Sequence, residues 1–277
     1  MNKVSIVLPT YNGQDHIEKA IDSVMNQSYA NWELIIVNDC STDSTKQIAE
    51  HYAKNDERIR IITNEVNQKL PRSLNIGFEN ATGMYYTWTS DDNQYKDDAI
   101  KIMVDFLDHN LGYGMVYCDT ILIDGDGNVI RENPLPEPER LILSNTVGAC
   151  FLYRKKIADK IGGYDTDLFL AEDYEYWLRM YQNTNIKHLP EKLYYYRCHE
   201  KSLSSTRLLD IKHQTARVWS KHYDFIMQQI KDRKTRFQFF DGYIEYADNS
   251  ERKDSIFREN RLYNIHYLLK NKKFRIG

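Results

Sequence analysis

The sequence predicts an α/β protein: a mixed, mainly parallel central sheet with helices on both faces, followed by a helical C-terminal extension. Three observations carry this. Short β-branched runs alternate with segments of helical period as far as His109. Polar clusters follow these runs where the strands of such a sheet would end. From Ser205 onward the chain turns basic, aromatic and helical in pattern. Strands alternating with helices imply right-handed crossovers, which place helices on the two faces.

Val4 to Leu8 reads as a buried strand closed by Pro9-Thr-Tyr-Asn-Gly13. Met1 to Leu8 has one lysine and lacks the long apolar stretch and small-residue cleavage site of a signal peptide, so it is read as strand. Ile17, Ala20, Ile21, Val24 and Met25 recur at helical spacing within Asp15 to Gln27. Trp32 to Val37 is a second buried strand, and the polar loop Asp39 to Thr45 opens a helix reaching about Lys54. Ile59 to Thr63, Leu70 to Asn80 and Met84 to Trp88 follow as strand, helix and strand. After a helix over Asp97 to His109 the alternation changes. Gly114 to Arg131 predicts a hairpin turning at Asp124-Gly-Asp-Gly-Asn128. That turn looks superficially like a calcium loop but reads as a plain turn, because Val129 and Leu135 stand where an EF-hand wants glycine and glutamate. Glu132 to Arg140, with prolines at 134, 136 and 138, predicts an extended, exposed lip. Gly148 to Arg154 reads as strand, Lys155 to Ile161 as a short helix, and Lys187 to Arg197 as extended structure. Between the last two, Glu172 to Tyr181 is an amphipathic helix with Tyr176, Trp177 and Met180 facing inward.

At 277 residues the chain can bury one sizeable core and carry an appendage, and the pattern places the boundary between residues 1–204 and 205–277. No apolar run approaches the ~18 residues of a membrane span. Cys40, Cys118, Cys150 and Cys198 form no CxxC pair, which argues against a zinc knuckle or disulfide framework and for a reducing cytoplasm. The net charge of −3 hides an asymmetry: residues 205–277 hold 16 basic against 9 acidic residues, and the rest 21 against 31. A nucleic-acid partner is not expected from this balance. The loop after the first strand lacks G-x-G-x-x-G, which argues against a dinucleotide enzyme.

Ligands on such sheets bind beyond the carboxyl ends of the strands. Three polar clusters converge there: Pro9 to Asn12, Asn38-Asp39, and Thr89 to Asn93. The adjacent carboxylates Asp91 and Asp92 suit a hard divalent cation, Mg²⁺ or Mn²⁺, that would neutralise a diphosphate leaving group. Paired acids are also common in solvated loops, and both readings stand at this point.

Ser5-Ile-Val-Leu-Pro-Thr-Tyr-Asn12, Asp22-Ser-Val-Met-Asn-Gln-Ser-Tyr29, Glu33-Leu-Ile-Ile-Val-Asn-Asp39 and Ser41-Thr-Asp-Ser-Thr45 form an ordered series. Asn75-Ile-Gly77, Thr89-Ser-Asp-Asp-Asn93 and Glu172-Asp-Tyr-Glu-Tyr-Trp-Leu-Arg179 continue it. Together they resemble the family 2 glycosyltransferases of the GT-A fold, over roughly residues 3–204. The resemblance implies an inverting enzyme moving a sugar from a nucleotide-diphosphate donor, a UDP-sugar foremost, to a glycan or lipid-linked acceptor in envelope polysaccharide, capsule or glycolipid synthesis. By the same resemblance Pro9, Thr10 and Tyr11 would wall the nucleotide base, and Asp39 would accept a hydrogen bond from it. Arg72 would face the nucleotide or its phosphates, Asp91 the ribose, and Asp92 would ligate the metal. The chain departs from the commoner pattern at Thr89, Lys69 and Leu74, where aspartate, glycine and arginine are usual.

Asp173 would be the base that takes the acceptor hydroxyl's proton on the face opposite the departing diphosphate. The bland reading is that Glu172 and Asp173 only favour a helix N-terminus. His199, in Tyr196-Arg-Cys-His-Glu-Lys-Ser202, would ligate the metal or stand as a surface histidine, with Arg197 a candidate phosphate contact. The basic extension suggests peripheral docking at the inner face of an anionic membrane, beside the alternative of a solvated helical face. A non-catalytic nucleotide-sugar binding module on the same fold is the rival function.

Overall fold

The computed structural model describes residues 2–200 and 202–273; the last four residues of the extension, 274–277, lie outside them. The apolar runs form strands because both of their faces are covered. Every residue of β1 (Val4–Thr10) is buried, and α1 (Ile17–Met25) turns Ile17, Ala20, Ile21 and Val24 inward. The unit repeats through β2 (Trp32–Asn38), α2 (Thr45–Asn55), β3 (Ile59–Thr63), α3 (Lys69–Glu79) and β4 (Tyr85–Trp88). β2 and β4 flank β1, and β3 lies outside β2, all parallel. α3 sits so close to β1 that a Cβ on Gly77 would lie 2.3 Å from Val7 Cγ1, which is why this helix tolerates an interior glycine.

Beyond β4 the sheet becomes mixed. After β5 (Gln94–Tyr95) and α4 (Ala99–His109), the long strand β6 (Tyr113–Ile123) folds back on β7 (Val129–Asn133) as the expected hairpin. β8 (Phe151–Arg154) runs antiparallel between β4 and β6; α5 (Lys155–Ile161) and α6 (Glu172–Asn183) then lead to β9 (Asn185–Arg197), parallel to β6. The resulting order is β3-β2-β1-β4-β8-β6-β9-β5, with β7 attached to β6.

Two elements differ from the sequence reading. β5 is too short to show a period; it exists because Gln94 and Tyr95 pair with β9 and the Tyr95 N–H donates to Ser23 Oγ at 3.1 Å. The lip is exposed along most of its length but pinned. Pro138–Ile142 is a 3₁₀ turn that buries Pro138, Leu141 and Ile142. Tyr117 donates its hydroxyl to the Pro136 carbonyl, Asp119 accepts the Leu135 N–H at 2.8 Å, and His188 bridges Asp119 and Glu137.

The extension is helical, as expected: α7 (Leu203–Thr206), α8 (Leu208–Lys221), α9 (Tyr223–Gln229), α10 (Arg233–Tyr246), α11 (Ser250–Glu259) and α12 (Arg261–Lys273). Its aromatics are core. Trp219, Phe239, Phe240, Tyr243 and Tyr263 join the residues of α6 and one face of the sheet in a single buried cluster. A second cluster fills the other face beneath α1 and α4. All four cysteines are free, and no helix among the described residues is long and apolar enough to cross a membrane.

Candidate active site

The carboxyl ends of β1 and β4 meet at the acidic pair. The Thr10 hydroxyl donates to Asp91, and Gly13 passes directly over both. A Cβ on Gly13 would lie 2.2 Å from Asp91 Oδ2 and 2.8 Å from Thr10 Oγ1, so the loop can close here only with glycine. Burial, opposed by the Thr10 bond and aided by the charge of Asp92, pushes Asp91 up to about 7. Pro9 lies within buried β1 beside Val37 of β2, whereas Tyr11 projects from the strand end with 52% of its surface exposed.

At the end of β2, Asp39 organises the start of α3. Its carboxylate accepts from Asn64 Nδ2 at 2.7 Å, the Gln68 N–H at 2.7 Å and the Lys69 N–H at 2.9 Å. A carboxylate offers about four acceptor positions, so one is left for a ligand. Lys69 has φ 69°, a left-handed backbone that explains why glycine is the usual residue there. Among the described residues Asn12 (φ 56°), Cys40 (64°) and Leu170 (80°) are the other non-glycine residues of this kind; the first two adjoin Tyr11 and Asp39, and the third lies three positions before Asp173. Such strain gathers at functional loops. Leu74 is fully buried in the core. Arg72 is exposed on the same helix and enters no ion pair among the described residues; the structure brings it to none of the site carboxylates. Thr89 is buried too, with its hydroxyl 2.6 Å from the Tyr194 hydroxyl, so its polar group is already partnered inside the protein.

Asp92 and His199 do come together. His199 Nε2 stands 3.0 Å from Asp92 Oδ2, and Asp92 Oδ1 is buried without a partner. Arg197, also buried, donates from Nε to the Asp92 carbonyl and from Nη1 to the Asp124 and Gly125 carbonyls, each at 2.9 Å, while its Nη2 has no partner. The hairpin turn is thereby tied beneath the acidic pair, and the Asp124 carboxylate is occupied by the N–H groups of its own turn. An orphaned carboxylate oxygen beside an imidazole is a donor set that fits Mn²⁺ or Mg²⁺. Among the described residues no three His, Cys, Asp or Glu side chains form a protein-only cage. A two-residue site would leave the remaining positions to phosphate oxygens and water.

Asp173 opens α6. Its Oδ1 accepts the Tyr174 N–H at 2.6 Å and its Oδ2 the Asn145 amide at 2.7 Å. Burial raises its pKa, and these two bonds pull it back. Next to it Glu172 is buried with Oε2 unpartnered, and burial followed by the charge of Asp173 pushes it up. An aromatic wedge fixes α6 against the strand end that leads to Asp91 and Asp92. Trp88 Nε1 donates to the Tyr164 hydroxyl at 3.0 Å, Tyr164 stacks on Tyr176 at 4.0 Å, and Phe151 meets Trp177 at 4.6 Å. Asn75 holds both the Tyr164 carbonyl and N–H, at 2.9 and 2.7 Å.

Sequence reasoning missed Asn145 and His16. Asn145 carries no signal, since nothing in its neighbourhood marks it. His16 has one: a titratable ring directly after the loop that closes β1.

The model of Glycosyl transferase family 2 matches residues 5–162. A Bacillus subtilis (strain 168) protein named as a teichuronic acid biosynthesis glycosyltransferase, TuaG, is 39% identical over 104 residues, which span 38% of this chain and 41% of that protein. Staphylococcus aureus TarS 1-349, solved in complex with UDP, superposes with a TM-score of 0.62 at 20% identity, covering 92% of this chain and 83% of that one. The mannosyltransferase PcManGT from Pyrobaculum calidifontis, solved with GDP-Man and Mn²⁺, gives a TM-score of 0.60 at 16% identity, covering 84% and 66%. At these identities the two structures speak for the fold.

Proposed function

The chain belongs to glycosyl transferase family 2 and has the GT-A fold, and from that premise we propose that it is an inverting, metal-dependent transferase using a UDP-sugar. Its product would be an envelope polysaccharide, capsule or glycolipid, made by transfer to a hydroxyl of a glycan or lipid-linked acceptor. The observation that carries the reading is the Asp92–His199 pair, 3.0 Å apart with one carboxylate oxygen free, on the strand end braced to the helix that bears Asp173. TuaG's name supports the polysaccharide setting, and the UDP complex of TarS supports the donor.

Asp173 accepts the proton of the acceptor hydroxyl as that oxygen bonds to the anomeric carbon. The bond from that carbon to the diphosphate breaks, and its electron pair leaves with the diphosphate. Asn145 and the Tyr174 N–H hold the carboxylate in place. Asp92 and His199 would hold Mn²⁺ or Mg²⁺, which when bound supplies neutralising charge to the leaving group. Pro9, Thr10, Tyr11 and Asp39 would receive the nucleoside, Asp91 the ribose, and Arg72 would reach the phosphates from the exposed face of α3. Residues 1–204 would form the transferring unit and residues 205–277 its extension. Leu262, Ile265 and Leu268 are exposed on α12 and would be the apolar contacts of peripheral membrane docking.

Calorimetric titration with UDP, GDP and dTDP, each with Mn²⁺ and with EDTA, tests the reading. Metal-dependent binding of UDP that Asp92→Ala abolishes is the expected result. Well-folded protein binding none of the three would overturn it. UDP binding with no sugar transfer by the wild type would favour a non-catalytic module, and transfer that Asp173→Asn leaves unchanged would remove Asp173 from the role of base.

A further inference from the structure

We infer that His16 is a diphosphate contact of the donor site, supplying a ring N–H to a phosphate oxygen. The inference rests on the donor-site reading above. His16 ends the loop that passes over Thr10 and Asp91, with its backbone N–H bonded to the Gly13 carbonyl at 3.1 Å. Its ring centroid lies 6.2 Å from that of His199, the planes inclined by 50°. His199 Nε2 stands 3.0 Å from Asp92 Oδ2 and Arg197 Nε 2.9 Å from the Asp92 carbonyl, which places the four side chains in one neighbourhood.

Three of those four side chains carry a buried polar atom with no partner: His16 Nδ1, Asp92 Oδ1 and Arg197 Nη2. Buried polar groups are normally satisfied, and orphans gathered in one place mark a site whose partner is a ligand. The types of atom narrow that ligand. A carboxylate oxygen calls for a cation, whereas a guanidinium nitrogen calls for an anionic oxygen. A lone anion would meet repulsion from Asp92, and a lone cation would leave Arg197 facing like charge. A diphosphate carrying its divalent cation answers both. The imidazole, which offers one N–H when neutral, then adds a second donor beside Arg197 on the phosphate side. His199 is already turned to Asp92 through Nε2, so the two histidines divide the work, one at the cation and one at the anion.

The test compares UDP with uridine, which keeps the base and ribose but has no phosphate. Binding of each, with Mn²⁺ present, is measured by competition on wild type, His16→Ala and His16→Asn, after circular dichroism has shown the variants folded. His16→Ala should weaken UDP by about ten- to hundred-fold and leave uridine unchanged, the loss of one hydrogen bond to a charged group. His16→Asn, whose amide retains an N–H near the Nδ1 position, should restore part of the loss. UDP binding unchanged in His16→Ala would overturn the inference. Equal weakening of UDP and uridine would do so as well, by reducing His16 to a support of the loop. Wild type that bound neither compound would instead bring down the donor-site reading, and this inference with it.

Discussion

The indole N–H of Trp219 donates to the Tyr174 hydroxyl at 2.9 Å, and that hydroxyl donates in turn to the Leu141 carbonyl at 2.7 Å. One buried chain of bonds thus joins α8 of the extension, the helix bearing Asp173, and the 3₁₀ turn of the lip. Trp219→Phe keeps most of the buried ring and removes only the donor, so it should cost about 0.5–1.5 kcal/mol. Trp219→Ala also opens a cavity and should cost about 3–5 kcal/mol. Urea denaturation followed by circular dichroism separates the two values.

Glu175, fully buried on α6, is the acidic end of the same junction. Burial would raise its pKa, but bonds from His222, Arg179 and Lys221 outweigh this and draw it from 4.5 down to about 2. A carboxylate depressed on folding stabilises the native state above its unfolded value and loses that contribution as pH falls through the folded one. The wild type should therefore lose stability between about pH 4.5 and 2 through this group. Glu175→Gln should be less stable at pH 7, with the gap to wild type closing over that acid window in denaturation midpoints.

The fold was legible where burial leaves a period in the sequence. β1, β2 and β4 are mainly apolar because both of their faces are covered, the edge strand β3 is only partly buried, and the helices between them carry one-sided apolar spacing. β5 was illegible because it depends on Ser23 and β9, both remote in sequence. In the site, the acidic pair and Asp173 stood out because carboxylates at strand and helix ends form local patterns. His199 was a candidate from sequence, but its contact with Asp92 spans 107 positions and only the fold displays it. Asn145 is the harder case. It meets Asp173 across 28 positions, just beyond a lip whose pinning bonds come from Tyr117, Asp119 and His188 on other strands.

Lys69 stands at φ 69° with its N–H bonded to Asp39 at 2.9 Å, a conformation that costs an L-residue about 1–2 kcal/mol and glycine almost nothing. Lys69→Gly should therefore be more stable than Lys69→Ala by about 1 kcal/mol, since alanine keeps the strain. Thermal melting of the pair measures the difference. Both variants retain the bond to Asp39, because it is made by the backbone.

In the proposed mechanism Asn145 bears on the chemistry through Asp173. Burial raises the Asp173 pKa, and the Asn145 amide opposes that by bonding the charged form. Removing the amide must raise the pKa further, so that a higher pH is needed to populate the base. In Asn145→Ala the acid limb of the kcat/KM profile should move to higher pH, while UDP binding stays as in wild type. Asp173→Asn removes the proposed base altogether and should lower kcat by about 10²–10⁴-fold at every pH, again without loss of UDP binding. If the limb stayed in place in Asn145→Ala while the rate fell uniformly, Asn145 would be acting on the acceptor instead of on the ionisation of Asp173. The two variants thus separate a residue that would set the protonation of the proposed base from the proposed base itself.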